Sequence, residues 1–229
     1  MTGCTLQAMP YDTPPDTSTL APNRFVDSDH PAVIAFAEAH RGATPRESAV
    51  ALFYVVRDMH RYNPWRIRFQ PEDYTASGVL LRDRDEGAHC IDKALLLAAT
   101  CRVLAIPSRL HYANVRNHIG TSKLEERLGT DLLVYHGYTE LFLGGRWVAA
   151  TPAFNRELCE RLGVAPLEFD GVNDAIFQAY GSGSGFMEYV DDHGVYPDVP
   201  LAQIFAAWEH HYPEVRGGTW PQNGKGPVE

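Results

Sequence analysis

Hydrophobic residues recur at helical spacing through most of the first half of the chain. Residues 30–40 carry apolar side chains at intervals that place them on one face, which predicts a first amphipathic helix. Thr44-Pro45-Arg46-Glu47 then forms a capping box with proline at the first helical position, so a second helix is expected to begin there. Apolar positions continue to Met59, and Asn63-Pro64 is expected to end this helix.

The most apolar stretch of the sequence begins immediately after Cys90. Between Ile91 and Leu104 only a thin polar stripe interrupts the hydrophobic residues, so the pattern predicts a third helix that is buried on most sides. Ile106-Pro107 is expected to end this helix. The segment before it, residues 64–87, is polar and irregular and is predicted to be a loop.

The chain then changes to the alternation typical of strands. Residues 108–113 are strand-like, and residues 132–143 alternate between apolar and polar positions. Gly144-Gly145 supplies a turn, and residues 146–150 continue after it, so a β-hairpin is indicated. Helices that precede antiparallel strands are typical of an α+β domain, with the N-terminal helices packed on the sheet.

The two ends of the chain differ from its centre. Residues 1–22 hold four prolines and are predicted to be an extended N-terminal arm. Residues 214–229 are rich in glycine and proline and are predicted to be a flexible C-terminal tail. No internal repeat is visible between them, and residues 23–213 are expected to form a single domain.

Composition narrows the function classes. The 229 residues include 20 basic and 29 acidic side chains, a net charge of −9, with no block of Lys or Arg, which argues against a nucleic-acid partner. The longest apolar run, around residues 94–99, is far shorter than the roughly 20 residues that span a bilayer, so no membrane helix is predicted. The N-terminal residues lack a basic-then-apolar secretory pattern, and a cytoplasmic location is therefore expected.

Four cysteines, Cys4, Cys90, Cys101 and Cys159, are widely and irregularly spaced. No C-x-x-C pair is present, so neither a structural zinc site nor another cofactor is predicted, and disulfides are not expected in a cytosolic chain of this size. Cys101 falls on the apolar face of the third predicted helix and Cys159 in a short helical segment, and both positions favour a core role.

Cys90 occupies a position that favours chemistry, because it opens the third predicted helix. The first turn of a helix presents unpaired N–H groups and a partial positive charge, which favour thiolate over thiol. The sequence therefore predicts a lowered pKa and a raised nucleophilicity for Cys90, with the same N–H groups available to an oxyanion. The alternative is that Cys90 is a small buried core residue.

A reactive thiolate needs a base, and His136 at the start of the predicted hairpin is the candidate. A strand can hold an imidazole rigidly over a helix N-terminus, although an isolated histidine on a strand also fits a structural role. The sequence alone leaves both interpretations open.

Three segments in a fixed order resemble the transglutaminase-like superfamily, whose members have a papain-like Cys-His core. The cysteine helix ends in Ala105-Ile106-Pro107-Ser108-Arg109, similar to the family's Gly-Ile-Pro-Ala-Arg turn. His136-Gly137-Tyr138-Thr139-Glu140 resembles its His-x-Trp-x-Glu strand, with Tyr138 for Trp. Trp147-Val148-Ala149-Ala150-Thr151-Pro152 resembles its Trp-x-x-x-Asp-Pro segment. The resemblance covers residues 45–155 and implies a transglutaminase-like fold.

The resemblance implies that Cys90 is the nucleophile, His136 its acid and base, and a third residue the group that orients the imidazole. The family has aspartate at this third position, where the sequence has Thr151. A hydroxyl can accept the imidazole N–H, but it lacks the charge that stabilises the protonated ring. Asn155, or a carboxylate such as Glu140 or Asp170, is an alternative orienting group.

Five residues are candidates for the substrate side of the site. Arginine offers a bidentate fork and asparagine both a donor and an acceptor, so residues 116–118 could bind a carboxylate or an amide, or else anchor a loop. The candidates are Arg116, Asn117, His118, Glu140 and Asn155.

The function implied by the resemblance is thiol-dependent acyl transfer or amide-bond chemistry. A small-molecule or peptide acyl donor would form an acyl-enzyme at Cys90, and water or an amine acceptor would release it. Neither a nucleic acid nor a membrane is an expected partner. The alternative, motivated by Thr151, is a non-catalytic binding or scaffold domain that retains the fold.

Overall fold

Helices and strands are interspersed along the chain. The computed structural model describes residues 9–117, 122–176, 179–180, 184–185 and 187–216. The α-helices in these ranges are α1 (Pro31–Ala39), α2 (Pro45–Met59), α3 (Ala76–Leu81), α4 (Cys90–Val103), α5 (Ser122–Leu128), α6 (Arg156–Arg161), α7 (Leu201–His211) and α8 (Pro213–Arg216). The strands are β1 (Ser108–Asn117), β2 (Leu132–Leu143), β3 (Arg146–Ala150), β4 (Ala179–Tyr180), β5 (Ser184–Gly185) and β6 (Met187–Tyr196).

Four of these strands form an antiparallel sheet in the order β3-β2-β1-β6. The hairpin of β2 and β3 has the bounds that the sequence predicts, and Thr139 lies opposite Ala150 in it. The register between β1 and β2 shifts between Ala113 and Val115, and the bulge coincides with a left-handed backbone at Tyr135, where φ is 57°. This irregularity lies one residue before His136.

Helix α4 lies at the centre of the fold, between the sheet and the other N-terminal helices. Residues 91–102 are buried without interruption, as the sequence predicts for a helix with almost no polar face. Helices α1, α2 and α3 pack on one side of α4, and β2 and β1 pack on the other. The predicted α+β architecture, helices on an antiparallel sheet, is therefore confirmed.

Polar side chains attach α4 to its surroundings at fixed points. Lys93 is fully buried, and its Nζ donates to the carbonyl oxygens of Arg57 at 2.8 Å and Ala153 at 2.9 Å. Asp92, also fully buried, forms an ion pair with Arg82 at 2.9 Å. Because each of these groups is costly to bury without a partner, the contacts fix the rotation and height of α4 against its neighbours.

The described part of the N-terminal arm lies on the sheet. Met9 N–H donates to the carbonyl of Val195 at 2.7 Å, which adds a short antiparallel bridge to β6. Farther along, Arg109 Nη2 donates to the carbonyl of Tyr11 at 2.8 Å, and Trp147 Nε1 to that of Thr13 at 2.9 Å. These three contacts attach residues 9–13 of the arm to the sheet.

The boundaries 1–22, 23–213 and 214–229 stay a prediction. Of the predicted tail, the structure describes residues 214–216, which belong to α8, and Val215 there is buried.

The structure differs from the sequence prediction in several regions, and β1 extends to Asn117 rather than ending at residue 113. The predicted loop at residues 64–87 contains α3 and the 3₁₀ turns Pro71–Tyr74 and Arg84–Glu86. Thr75 caps α3, because its Oγ1 accepts the N–H of Gly78. Strand β6 was not predicted, since Asp191, Asp192 and Gly194 interrupt its apolar alternation. It forms because its backbone pairs with β1 along most of its length.

We expect the buried Asp92–Arg82 pair to be a main determinant of stability. Arg82→Met would leave the Asp92 carboxylate buried without its cation and lower the free energy of unfolding by about 3–5 kcal/mol. The matched control is Arg41→Met, which breaks an exposed pair with Glu38 and should change the free energy of unfolding far less. Urea denaturation measures both, and equal losses would contradict this role for Asp92.

Candidate active site

The backbone turns sharply just before α4, and Cys90 is the first residue of the helix. Gly87 has φ of +71°, and a Cβ there would lie 2.7 Å from Cβ of Asn63, so only glycine fits this approach. His89 caps the helix: its Nδ1 accepts the N–H of Asp92 at 3.3 Å, while Asp92 Oδ2 accepts the N–H of His89 at 3.1 Å. This reciprocal pair fixes the first turn, and Cys90 stays partly exposed beside it.

Helix α4 approaches β2 most closely at Gly137. A Cβ at this position would lie 3.0 Å from Cε1 of Tyr112 and 3.4 Å from Cα of Ile91. The backbone N–H groups of Gly137 and Ile91 both lower the pKa of the Cys90 thiol, so both lie near its sulfur. The sulfur therefore lies between the helix start and the strand that carries His136.

Cys90, His136 and His89 line one small cavity of about 50 Å³. Apart from these three residues the lining is apolar or aromatic, and among the described lining residues none carries a carboxylate, an amine or a guanidinium. The other lining residues are Tyr62, Pro64, Ile67, Ile91, Leu124, Leu128, Leu133, Val134, Tyr135, Trp208 and Tyr212. The arrangement brings the two sequence-predicted catalytic residues to the same space and surrounds them with an uncharged wall.

The pKa of His136 is lowered to about 4, first by burial and then by the neighbouring His89. Only 3% of His136 is exposed, and its Nδ1 is buried without a hydrogen-bond partner among the described residues. The imidazole is consequently neutral near pH 7. It is able to take up a proton, but no described group stabilises the protonated form.

Burial raises the pKa of the Cys90 thiol to about 11, opposite to the expectation from its place at a helix start. The N–H groups of Gly137 and Ile91 lower the pKa, but dense packing around the sulfur outweighs them and the carboxylate of Asp92 adds to the increase. Cys90 and His136 therefore rest as thiol and neutral imidazole.

Thr151 lies directly after β3, and 6% of it is exposed. Its N–H donates to the carbonyl of Ala175 at 2.9 Å, while its Oγ1 is buried and has no partner among the described residues. His136 Nδ1 and Thr151 Oγ1 thus both lack a partner, on neighbouring strands. The role of Thr151 as the group that orients His136 stays a prediction.

Glu140 belongs to a different polar cluster. Its carboxylate accepts from Arg109 Nε at 2.6 Å and contacts His111 Nδ1 at 2.7 Å. Although burial opposes it, the hydrogen bond from His111 and the charge of Arg109 keep the pKa of Glu140 below its usual value. Both carboxylate oxygens are occupied by these two residues, and no hydrogen bond joins Glu140 to His136 in the described structure.

Asn155 and Arg116 are not among the described residues that line the cavity. Asn155 Oδ1 accepts the N–H of Tyr62 at 2.8 Å, so it positions a lining residue through the backbone. Arg116 is half-exposed, with its Nη1 3.5 Å from Asp131. Asn117 ends β1, and His118 lies outside the described residues.

Asn114 and His89 are two site-supporting residues that the sequence analysis missed. Asn114 Oδ1 accepts the N–H of Tyr135 at 3.1 Å and contacts Nε2 of His193 at 2.8 Å, so it stabilises the strained residue before His136. No local pattern indicates this role, because it depends on a strand bulge. His89 could have been found from its spacing of three residues from Asp92 at a helix start.

Within the described ranges, no cluster of three or more His, Cys, Asp or Glu residues could hold a metal ion. Among the helices of those same ranges, none combines the length and the apolar character needed to cross a bilayer.

Comparisons with known proteins bear on the fold. A model of the transglutaminase-like superfamily matches residues 34–152, just over half of the chain, which confirms the resemblance drawn from the sequence. A solved structure of a candidate cysteine protease from Cytophaga hutchinsonii is similar at 18% identity with a TM-score of 0.49; the match covers 86% of this chain and 53% of that one. The chain thus spans about half the length of that protein. No curated protein matches the sequence.

The alkylation rate of Cys90 should reflect its raised pKa. With a thiol pKa of about 11, we expect the rate with iodoacetamide to rise about tenfold per pH unit between about pH 7 and 9.5, without a plateau, because only thiolate reacts. Peptide mass spectrometry resolves Cys90 from the other cysteines, and glutathione under the same conditions supplies a reference that levels off. A plateau already at pH 7 would show a preformed thiolate–imidazolium pair and contradict the neutral resting state.

The contribution of Thr151 can be measured by removing its hydroxyl. Since Oγ1 makes no hydrogen bond to any described residue, we expect Thr151→Val to change the Cys90 alkylation rate by less than about threefold and to leave the melting temperature equal or higher. Thr139→Val is the matched control, because Thr139 Oγ1 donates to the carbonyl of Ala94 at 2.8 Å and its loss should lower the melting temperature. A tenfold slower alkylation in Thr151→Val would instead assign the orienting role to this hydroxyl.

Proposed function

The chain belongs to the transglutaminase-like superfamily, and from this premise we propose that it performs thiol-dependent acyl transfer or amide-bond chemistry through an acyl-enzyme at Cys90. The observation that carries the proposal is that a partly exposed cysteine at a helix start and a histidine on the adjoining strand line one cavity. Membership of the family supports cysteine-based catalysis in general. The acyl-transfer assignment is more specific and depends on this site.

The reaction begins with attack of the Cys90 sulfur on the carbonyl carbon of an amide, ester or thioester. A sulfur–carbon bond forms, the π electrons of the carbonyl move to its oxygen, and the thiol proton passes to the imidazole of His136. When the carbonyl re-forms, the bond to the leaving group breaks, and the leaving group takes the proton from His136. Water or an amine then attacks the thioester with His136 as base and releases the free thiol.

The neutral resting pair determines the timing of proton transfer. Because burial disfavours both the thiolate and the imidazolium, the proton leaves the sulfur as the new bond forms rather than beforehand. The N–H groups of Gly137 and Ile91 support negative charge on the sulfur during this step.

The cavity wall favours an apolar acyl group. Aromatic and aliphatic side chains such as Tyr62, Trp208 and Leu133 would bury hydrocarbon, and no described lining residue offers a charge to a substrate carboxylate or phosphate. The proposed donor is therefore a small molecule or a peptide with an uncharged acyl portion, and the acceptor is water or an amine.

A second function is a non-catalytic domain that binds an apolar ligand in this cavity. The observation that favours it is that, among the described residues, no group bonds Nδ1 of His136, and Thr151 stands where the family has aspartate. In that case the cavity would bind a ligand without forming a covalent bond to Cys90.

Acylation by an activated ester tests the proposal. With p-nitrophenyl butyrate we expect a burst of p-nitrophenol and a butyryl adduct at Cys90. Cys90→Ala should abolish the adduct, and His136→Ala should slow its formation about 100- to 10,000-fold, because general acid–base catalysis by the imidazole is lost. Cys101→Ala, at a buried cysteine of the same helix, is the matched control and should retain the burst.

The same assay separates transfer from hydrolysis. Added hydroxylamine intercepts the acyl-enzyme, and the ratio of hydroxamate to free acid measures the preference for an amine over water. An ester that binds in the cavity but leaves no adduct on wild-type Cys90 would favour the binding function instead.

A further inference from the structure

His89 has a hydrogen-bond donor that takes no part in the reaction steps proposed above. The Nδ1 of this residue accepts the N–H of Asp92, so in the neutral ring the proton is on Nε2. That Nε2–H is buried and has no acceptor among the described residues. An unpaired donor in a protein interior is costly, and such an atom beside a candidate nucleophile calls for a functional explanation.

The ring of His89 is rigidly held within the cavity lining. Only 4% of the residue is exposed, and it lines the same cavity as Cys90 and His136. Tyr74 stacks on the ring with centroids 5.8 Å apart, and Trp208 meets it nearly at right angles at 6.1 Å. Together with the cap to Asp92, these contacts fix the orientation of the N–H before any substrate arrives.

The ring is also held in the neutral form. Burial lowers the pKa of His89 to about 4, and the charges of Arg66 and Arg82 act in the same direction against the attraction of Asp92. Near pH 7 the ring therefore presents one N–H as a fixed donor and has no proton to release to a leaving group.

We propose that the Nε2–H of His89 donates a hydrogen bond to the acyl oxygen of the substrate while Cys90 attacks, which makes His89 a catalytic residue of this site. The inference rests on the proposed function. As the sulfur–carbon bond forms and the carbonyl electrons move to oxygen, His136 receives the thiol proton, and His89 keeps its own. The hydrogen bond strengthens as negative charge grows on the oxygen, so it stabilises the transition state more than the bound substrate.

Two substitutions distinguish the role of His89 as a hydrogen-bond donor from its role as the helix cap. His89→Asn retains an oxygen that can accept the N–H of Asp92, and asparagine is a favourable capping residue, but its amide is too short to reach the position of Nε2. His89→Ala removes both the cap and the donor and should lower the melting temperature by about 2–4 °C. A loss of acylation shared by both variants would thus follow the donor rather than the cap.

Two reagents separate stabilisation of the oxygen from activation of the thiol. Acylation of Cys90 by p-nitrophenyl butyrate builds negative charge on a carbonyl oxygen, whereas displacement of iodide from iodoacetamide does not. For His89→Asn we expect acylation to be about 100- to 1,000-fold slower than in wild type, with alkylation within about threefold. The ratio of the two rates, measured at one pH, is the decisive quantity.

Three outcomes would overturn the inference, and they differ from one another. Wild-type acylation rates in His89→Asn would show that the donor is not used. Equal losses of acylation and alkylation would show that the ring acts on the thiol. If wild-type Cys90 is not acylated at all while iodoacetamide still modifies it, the proposed function fails first, and the role of His89 fails with it.

Discussion

The contact between the first turn of α4 and strand β2 at Gly137 determines where the candidate site forms. A Cβ at this position would lie 3.4 Å from Cα of Ile91 in α4 and 3.0 Å from the ring of Tyr112, and the N–H of Gly137 lowers the pKa of the Cys90 thiol. His136 is the preceding residue, so the same contact places the base. The two groups are thus brought to one cavity by backbone packing, and this explains how the site can exist although both groups rest uncharged. Buried anchors on the following residues of α4 reinforce the contact, since Asp92 and Lys93 each have their partners in other segments.

The buried polar groups around α4 differ in whether they have a hydrogen-bond partner. Buried polar groups such as Lys93 and Thr139 are paired, whereas His60, Arg66 and Arg109, outside the cavity lining, each have a buried nitrogen without a hydrogen-bond partner among the described residues. Next to Cys90, His89 and His136 each have a buried ring nitrogen without a partner among the described residues, and the hydroxyl of Tyr112 is unpartnered within the same ranges. Unpaired polar atoms of this kind destabilise the empty protein, and a bound carbonyl compound can relieve that cost. The sequence pattern does not reveal this difference, because it depends on which atoms lack partners rather than on residue type.

The parts of the structure that the sequence predicts well are those governed by local periodicity. Helices α1, α2 and α4, and the hairpin of β2 and β3, follow from apolar spacing and turn residues. Strand β6 was missed because Asp191 and Asp192 break its alternation, and pairing with β1 determines it instead. In the site, the sequence singled out Cys90 and His136, which line one cavity, and their catalytic roles stay a prediction. The predicted direction of the thiol pKa was wrong, because the expectation considered the helix start and left out the density of packing around the sulfur. The partners of Glu140 come from β1 and could not be read from its own strand.

The N-terminal arm is attached to the sheet through its backbone. Arg109 and Trp147 donate to the carbonyl oxygens of Tyr11 and Thr13, and the guanidinium of Arg109 lies 4.1 Å above the ring of Trp147. A carbonyl oxygen is the same in every amino acid, so these two hydrogen bonds do not depend on which side chains the arm carries. For these two hydrogen bonds, the requirement for particular residues therefore falls on the sheet rather than on the arm, although the ring of Tyr11 also contacts His111. In evolution, the arm would be free to change its sequence at Thr13, while Arg109 and Trp147 would be retained to hold it.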